Sequence, residues 1–300
     1  MTSSKARPRV GLLGLGNMGS ALADRLIAGS MPLTLWNRFP DKAQAYQEKG
    51  AAVVKGALDA AVVCDTLLVC LRDHAATRDT VMTWAMADAL KGKTLVELTS
   101  MTAAHSRSLD AWAENSGIAY LEGQIQDYPA TVRAGTATLI CAGPKAVFER
   151  CRPVLETLTE RTVFTSEVID TAPTLVNVQL AFSFMAYAGV LHGVAVCQEA
   201  GVPVERFLET MVRDNMTTGP MADDLEIMGR AADTRAFDDD VGATMEIWQA
   251  SLEEIIREGR ETGITTSHLE AVSTLMTRDH ALGHDGHDMA GLIDAIRPGT

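Results

Sequence analysis

The sequence predicts an α/β protein: a doubly wound parallel β-sheet, then a long apolar helix, then an all-helical C-terminal region. Apolar runs of strand length alternate with helical patterns from residue 8 to about residue 165, which is typical of a parallel sheet with helices on both faces. Residues 172–197 contain no Asp, Glu, Lys or Arg. The chain beyond them shows helical periods and no strand-like run, so that region is predicted to be helical.

Each element of the first region has its own sequence signal. Short apolar runs predict strands at residues 9–16, 32–38, 66–71, 93–99 and 136–143. One helix is predicted to begin at Asn17 and to end near Gly29. A second helix is predicted over residues 40–50, and a third begins at Pro144.

The uncharged stretch 172–197 is long enough to cross a membrane. It also contains Asn177, Gln179, Ser183 and His192, and the chain has no second stretch like it. We therefore favour a long buried helix of a soluble protein. A helix that is apolar all round needs neighbours on every side, and a dimer interface would supply them.

Residues 240–264 predict an amphipathic helix in the C-terminal region. Its apolar residues recur at helical spacing, opposite a charged face, at Val241, Met245, Trp248, Leu252 and Ile255. The whole chain thus divides into a sheet domain over residues 1–165, a long helix over 166–198 and a helical domain over 199–300.

The composition limits the partners of the chain. A net charge of −13 disfavours binding to nucleic acid or to an anionic membrane surface, because both are negatively charged. Five scattered cysteines without a CxxC pair indicate buried thiols in a reducing cytoplasm rather than a disulfide framework. No long apolar segment precedes the first predicted strand, so we expect no secretory signal peptide.

The histidine-rich segment near the C-terminus has the composition of a metal site. It contains His280, His284, Asp285, His287 and Asp288. Their spacing fits no standard zinc pattern, so we predict no metal there.

A glycine-rich turn follows the first predicted strand. Gly14, Gly16 and Gly19 form GxGxxG between a strand and a helix. In this context the first glycine permits a tight turn, the second lets a pyrophosphate approach the backbone, and the third lets helix and strand pack closely. The motif predicts a Rossmann-type dinucleotide site that also includes the intervening residues Leu15, Asn17 and Met18.

The end of the second strand indicates which dinucleotide binds. NAD sites place a carboxylate there, but this chain has Asn37, followed by Arg38 and Lys42. An amide does not repel a 2′-phosphate, and the two cations can bind it, the arginine through two parallel N–H bonds. The pattern predicts NADP(H).

Residues after two later strands are predicted to line the same cofactor groove, since the carboxyl ends of parallel strands face the ligand cleft. They are Leu71, Arg72 and Asp73 after one strand, and Thr99 and Ser100 after the next.

Several segments together resemble the imine reductases, NADPH-dependent enzymes related to the β-hydroxyacid dehydrogenases. The segments are GLGNMGSALADRL, TLWNRFPDKA, VCLRD, LTSMT, YLEGQIQDYP and ALGHDGHDMAGLIDAIRPG, in order along nearly the whole chain. The resemblance implies a Rossmann domain, a long interdomain helix and a helical C-terminal domain, with two subunits intertwined around a shared cleft.

The start of the long helix distinguishes the two related classes. The dehydrogenases carry a catalytic lysine and an asparagine where this chain has Thr174 and Val178. A threonine cannot act as the base that alcohol oxidation needs. Imine reductases usually carry Asp or Tyr where Asn177 stands, and Asn177 cannot donate a proton as they do. A protonated iminium needs no proton, however, and an amide oxygen can accept a hydrogen bond from its N–H.

Two further residues are candidates for catalysis, and five for the substrate pocket. Tyr187, on the same helix, is the nearest alternative proton donor, and the resemblance places the loop of Ser100 beside the nicotinamide. The predicted substrate-pocket residues are Tyr128, Phe184, Met185, Met245 and Trp248.

We therefore predict a cytoplasmic homodimer that reduces a small apolar cyclic imine with NADPH. Two other interpretations stay open. One is an oxidoreductase of the β-hydroxyacid dehydrogenase type, which would turn over 3-hydroxy acids. The other is an NADPH-binding protein with little catalysis, which would bind the cofactor tightly and reduce no imine.

Overall fold

A computed structural model describes residues 7–237, 243–284 and 286–297. The chain forms two compact units, Met1–Ala181 and Phe182–Thr300. The first unit contains the whole β-sheet, and the described part of the second is helical.

The first unit is built on one eight-stranded sheet with the order β3-β2-β1-β4-β5-β6-β7-β8. The strands are β1 (Val10–Leu13), β2 (Leu33–Trp36), β3 (Ala52–Val53), β4 (Thr66–Val69), β5 (Thr94–Glu97), β6 (Ala119–Gln126), β7 (Thr138–Ala142) and β8 (Arg161–Ser166). Neighbouring strands are parallel, except that β7 runs antiparallel to β6. The predicted mostly parallel sheet is confirmed.

Helices connect the strands and cover the sheet. In the first unit they are α1 (Asn17–Ala28), α2 (Asp41–Gln44), α3 (Ala57–Val63), α4 (His74–Val81), α5 (Trp84–Leu90), α6 (Ala103–Asn115), α7 (Pro129–Ala134) and α8 (Lys145–Leu158). Alternate residues of the central strands join two separate hydrophobic clusters, Leu12 and Leu68 in one, Leu13 and Leu67 in the other. This alternation is expected when helices cover both faces of a sheet.

Some elements differ from the sequence prediction. Strands β3, β6 and β8 were not predicted. The predicted helix over residues 40–50 ends at Gln44, and turns continue to residue 50. By contrast, α1 ends against Gly29, and α8 follows Pro144, as predicted.

The long apolar stretch forms a single helix, α9 (Thr171–Glu199), of 29 residues. Its most apolar window has a mean hydropathy of 1.7, and none of that window is buried within one chain. Among the described residues it is the one helix long and apolar enough to cross a membrane. The predicted helix is present; its first turns bury Ala172, Pro173 and Val176, and many of its later apolar side chains are exposed in the single chain.

The second unit continues with short and medium helices. They are α10 (Val204–Phe207), a π-helical turn (Leu208–Arg213), α11 (Asp214–Thr217), α12 (Pro220–Thr234), α13 (Met245–Thr262), α14 (Ser267–His280), a 3₁₀ turn (Met289–Gly291) and α15 (Leu292–Ile296). The predicted amphipathic helix corresponds to α13, and Val241 lies outside the described residues.

The cysteines are free thiols, and four of the five are buried in the sheet unit. Burial raises the pKa of Cys64 to about 11 and that of Cys151 to about 12. These thiols therefore stay protonated at neutral pH. Cys197 on α9 is the partly exposed one.

Candidate cofactor site

The glycine-rich turn has the shape of a phosphate cradle. Gly14 has a φ of +100°, and a Cβ there would lie 2.1 Å from the Cys70 carbonyl oxygen. A Cβ on Gly19 would lie 2.2 Å from the Gly14 oxygen, so this glycine allows helix and turn to touch. A Cβ on Gly16 would meet nothing within 4 Å. The backbone at Gly16 is therefore open to a ligand, at the N-terminus of α1, where free N–H groups favour an anion.

A groove of about 360 Å³ opens at this turn. It is bounded by the β1–α1 turn, the end of β2 and the end of β4. The lining residues are Gly14, Leu15, Gly16, Asn17, Met18, Gly19, Trp36, Asn37, Arg38, Phe39, Lys42, Cys70, Leu71, Arg72, Ala76 and Thr80. Most of the residues predicted for the cofactor thus lie together around one groove.

Asn37 forms hydrogen bonds with two segments that border the groove. Its Oδ1 accepts a hydrogen bond from the Leu15 N–H at 2.9 Å, and its Nδ2 donates to the Phe39 carbonyl at 2.9 Å. The amide therefore fixes the glycine-rich turn to the loop after β2. Asn37 positions its neighbours, and this leaves one N–H of its Nδ2 for a ligand.

The two predicted phosphate-binding cations lie on the exposed side of this loop. Arg38 and Lys42 both line the groove, and neither side chain forms an ion pair within the part of the chain that the structure describes. Phe39 lies between them in the sequence and is 64% exposed. Phe39, Ala76 and Thr80 carry no chemical signal in the sequence, since their place in the groove depends on tertiary structure.

Two residues that follow β4 have different roles: Arg72 lines the groove, and Asp73 caps a helix. Arg72 lines the groove, and its Nε lies 2.7 Å from the carboxylate of Asp73. Asp73 caps α4 by accepting the Ala76 N–H at 2.8 Å, and this bond and the contact with Arg72 lower the pKa of Asp73. Asp73 is thus occupied by protein groups and does not line the groove.

The two predicted cofactor residues after β5 differ in exposure. Ser100 is exposed, whereas Thr99 is buried. The Thr99 Oγ1 accepts the Leu71 N–H at 3.0 Å and lies 3.4 Å from the Thr77 hydroxyl. Thr99 therefore supports the groove from behind Leu71 instead of lining it.

Two carboxyl groups lie inside the sheet next to Thr99, and the sequence analysis did not single them out. Glu97 on β5 is in register with Glu122 on β6, and both are fully buried. Glu97 Oε1 accepts the Thr99 N–H at 2.8 Å. The available signal was an acidic residue inside each of the segments TLVELT and YLEGQIQ.

Glu122 has well-defined hydrogen bonds from three side chains. It accepts hydrogen bonds from the Tyr120 hydroxyl, from Ser106 Oγ at 2.8 Å and from Gln124 Nε2 at 2.6 Å. Burial raises the pKa of Glu122 to about 7, against these three hydrogen bonds, which lower it. Burial raises the pKa of Glu97 well above its ordinary range, and the neighbouring Glu122 raises it further.

Asn177 lies near the start of α9, within the sheet unit. Its Nδ2 donates to the Met101 carbonyl at 3.2 Å, which attaches it to the loop that carries Ser100. The two predicted catalytic residues of this unit are therefore close in the fold. Tyr187 lies ten residues further along α9, in the second unit, and is 55% exposed.

The predicted substrate-pocket residues are spread over both units. Tyr128 caps α7 in the sheet unit and is exposed, as are Phe184 and Met185 on α9 and Trp248 on α13. Met245 is fully buried in the second unit, where its N–H donates to the His287 carbonyl. Their role in one pocket stays a prediction.

The histidine-rich segment forms a local cluster in the second unit. His284 Nδ1 lies 2.9 Å from the fully buried carboxylate of Asp279, and the His284 and His287 rings stack. The structure shows no metal-binding group of three or more His, Cys, Asp or Glu among the residues it describes. Asp285 lies outside the described residues.

The sheet topology, the glycine-rich turn and the groove define a dinucleotide-binding protein of Rossmann type. Residues 9–166 match the family described as the NAD binding domain of 6-phosphogluconate dehydrogenase. Residues 170–298 match the C-terminal domain described as NADPH-dependent reductive aminase-like. The chain belongs to the family of this NAD-binding domain, and the resemblance to the imine reductases that the sequence predicted is confirmed.

Individual relatives cover the chain to different extents. The NADPH-dependent reductive aminase of Aspergillus oryzae is 24% identical over 297 residues, which is 97% of each chain. The cytokine-like nuclear factor N-PAC of Anopheles gambiae is 28% identical over 215 residues, which is 71% of this chain but 38% of that protein's length. The solved imine reductase of Myxococcus stipitatus in complex with NADP⁺ has a TM-score of 0.85 at 25% identity, covering 97% of this chain and 100% of the other.

Proposed function

We propose that this chain is an NADPH-dependent imine reductase acting on a small, mostly apolar cyclic imine. The observation that carries the proposal is the end of β2, where Asn37, Arg38 and Lys42 border the groove in place of a carboxylate. The whole-length match to a reductive aminase supports the reaction class.

The groove fits the cofactor. The open backbone at Gly16 and the N-terminus of α1 suit a pyrophosphate, and the apolar walls at Cys70 and Leu71 suit the apolar parts of a nucleotide. Arg38 and Lys42 are free to hold the additional phosphate of NADPH. When bound, NADPH supplies the hydride for the reduction of the C=N bond.

Asn177 orients the substrate in this proposal. Its Nδ2 is engaged with the Met101 carbonyl, so Oδ1 is the group that faces a ligand. A carbonyl oxygen accepts a hydrogen bond from an iminium N–H and supplies no proton. The reaction therefore suits an imine that arrives protonated, held with its carbon about 3–3.5 Å from the hydride donor in a site that excludes water. Ser100, and Tyr187 as a proton donor for neutral imines, complete the proposed set.

The proposal includes a cytoplasmic homodimer. The α9 helix exposes Val178, Leu180, Phe182 and Leu191 in the single chain. A second copy that packs on this helix would bury them. The amides and hydroxyls along the same helix make a lipid environment costly and a protein interface suitable.

The cofactor part is tested with Arg38→Ala. Loss of a charge-assisted hydrogen bond should raise the apparent KM for NADPH by about 10- to 100-fold and that for NADH by less than about threefold. Lys91→Ala, which removes an exposed cation outside the groove, is the matched control and should change neither constant. An equal effect of Arg38→Ala on both cofactors would contradict the phosphate assignment.

The reaction part is tested by following NADPH loss with a pyrroline, and NADP⁺ reduction with a 3-hydroxy acid. We expect turnover of the imine alone, since Thr174 stands where a dehydrogenase has its base. Asn177→Asp should extend activity to neutral imines and change the pH dependence of kcat. Asn177→Leu should lower kcat/KM without that change. Oxidation of the 3-hydroxy acid would favour the dehydrogenase instead, and binding of NADPH without any turnover would favour a binding protein.

A further inference from the structure

The proposed reaction uses neither of the two carboxyl groups inside the sheet. Glu97 and Glu122 are neighbours in register on adjacent parallel strands, so their side chains point to the same face. Two carboxylates this close and this deeply buried cannot both be ionised without a large energetic cost. The pair therefore holds at least one proton at neutral pH.

The hydrogen bonds show which acid keeps the proton. Glu122 accepts hydrogen bonds from three donors, Tyr120, Ser106 and Gln124, and such bonds favour the ionised form of a carboxylate. Glu97 accepts the Thr99 N–H and lies against the hydroxyls of Thr99 and Thr77, but its Oε2 is a buried oxygen without a hydrogen-bond partner among the described residues. A neutral acid tolerates that environment better than an anion. The ionisable member is thus Glu122, and Glu97 is the neutral one.

Thr99 connects the pair to the groove. Its N–H donates to Glu97, and its carbonyl accepts Gln124 Nε2 at 3.4 Å, the same nitrogen that donates to Glu122. Its hydroxyl accepts the N–H of Leu71, which lines the groove. Both acids are therefore linked to the backbone of Thr99, Glu97 directly and Glu122 through Gln124. The Thr99 hydroxyl in turn holds the Leu71 N–H at the groove wall.

We propose that Glu97 and Glu122 are positioning residues for the cofactor groove: Glu97 stays protonated, and the ionisation of Glu122 is coupled through Gln124 and Thr99 to nucleotide binding at the Leu71 wall. This inference rests on the proposed NADPH site. A dinucleotide carries several negative charges, so its binding disfavours a second, buried negative charge at the same wall. NADPH binding should therefore be accompanied by proton uptake at Glu122.

The other titratable groups that face the two acids keep their protons near neutral pH. They are Tyr120 on β6, Cys70 after β4 and Cys141 on β7. Burial raises the pKa of Cys70 to about 12, and it also raises the pKa of Tyr120 and that of Cys141. The groups that α6 and α4 turn toward the network are the hydroxyls of Ser106 and Thr77, which carry no charge.

Calorimetry of NADPH binding in two buffers of different ionisation enthalpy measures the proton uptake. At pH 7 the wild-type protein should take up about a third of a proton more than Glu122→Gln, which cannot ionise. Between pH 6 and pH 8.5 its Kd for NADPH should rise about fivefold relative to that of the variant, at the low end of typical coupling between sites. The comparison removes contributions from the 2′-phosphate and from surface histidines, since both proteins share them. Equal proton uptake in the two proteins would overturn the proposal.

Thr99 variants test the connection. Thr99→Val keeps the shape of the side chain and removes the acceptor for the Leu71 N–H, so it should reduce the difference in proton uptake to less than half and raise the Kd for NADPH several-fold. Thr99→Ser keeps the hydroxyl and should retain both properties. If Thr99→Val retained the proton uptake, the relay through Leu71 would be wrong.

The charge assignment is tested without cofactor. Infrared spectra of the apoprotein at pH 8 should show the carbonyl band of a protonated carboxylic acid, and this band should be missing in Glu97→Gln. Glu97→Leu, which removes the acceptor for the Thr99 N–H, should bind NADPH several-fold more weakly than Glu97→Gln, which keeps that acceptor. Absence of the band would show that Glu97 is not protonated and would overturn the proposal, even if NADPH binds. Failure of the wild type to bind NADPH at all would instead overturn the proposed function and leave the infrared result to decide the proton assignment.

Discussion

The sheet unit and the helical unit bury their apolar side chains to very different degrees. Most central residues of the sheet are fully buried, including Leu12, Leu35 and Leu95. After residue 182 the described chain has six buried hydrophobic residues. Exposed apolar side chains are common there, among them Leu191 and Ile227. The difference is the one that the proposed homodimer predicts, since a second chain would cover exposed apolar side chains of the helical unit, whereas the sheet unit has its own buried core.

The largest expected effect is on association. Leu191→Asp places a charge on the exposed apolar face of α9, where the proposed dimer would bury it in both copies. We expect the dimer to be weakened by about 5 kcal/mol, a several-thousandfold rise in the dissociation constant. Sedimentation equilibrium measures this directly.

The control for Leu191→Asp is a similar change on the sheet unit. Trp84 is 91% exposed there, and Trp84→Asp should leave the association state unchanged. A monomeric wild-type protein, or a Leu191→Asp protein that remains dimeric, would break the comparison between the two units.

The second prediction concerns the free energy of unfolding of the sheet unit. Gly14→Ala adds a Cβ 2.1 Å from a backbone oxygen at a φ of +100°, so backbone strain and overpacking combine. The free energy of unfolding should fall by about 4 kcal/mol, as measured by denaturant titration. Gly50 has a φ of +92° with open space around it, so Gly50→Ala separates the strain and should cost about 1 kcal/mol.

Gly16→Ala completes this series, because its added Cβ enters open space. It should leave the stability within about 0.5 kcal/mol of the wild type and still weaken NADPH binding by at least about tenfold. A loss of stability as large as that of Gly14→Ala would show that the turn is shaped by the fold alone.

The third and smallest effect is a pH dependence that the sheet core creates. Burial raises the pKa of Glu122 from 4.5 to about 7, so its contribution to stability is complete below pH 4.5 and is lost as the pH rises through 7. The loss amounts to at most about 3 kcal/mol by pH 8.5. Glu122→Gln should flatten the stability profile between pH 5.5 and 8.5.

Glu149 on the surface of α8 is the control. Its hydrogen bond with Arg152 lowers its pKa to about 2, so its contribution is lost only as the pH falls below 4.5. Glu149→Gln should therefore leave the profile above pH 5.5 unchanged. A wild-type profile that is flat over that range would contradict the burial of an ionisable Glu122.

The sequence predicted strands where apolar runs are continuous, as in β1, β4 and β5. It missed β6 because Glu122, Gln124 and Gln126 interrupt the apolar pattern, and two of these are buried through hydrogen bonds that only the fold reveals. It missed β8 because this edge strand is half exposed and contains threonines, and β3 because it has two residues.

The site was predictable to the extent that its chemistry is local in sequence. The turn around Gly14 and the cations after β2 follow from a motif of fixed spacing. The hydrogen bond between Asn37 and Leu15 and that between Thr99 and Leu71 do not, because the partners lie 22 and 28 positions apart in the sequence. Sequence reasoning therefore identified these residues but not the supporting role they have in the groove.

The distribution of thiols provides a natural probe of opening in each unit. Cys64, Cys141 and Cys151 are inaccessible in the folded sheet, and a protonated thiol is a poor nucleophile, so an alkylating reagent reaches them only when the sheet opens. Cys197 on α9 is partly accessible from the start. One alkylating reagent would modify these four thiols at different rates. The rate at Cys197 would report on the exposure of α9, and the rates at the other three would report on opening of the sheet unit, with no engineered label.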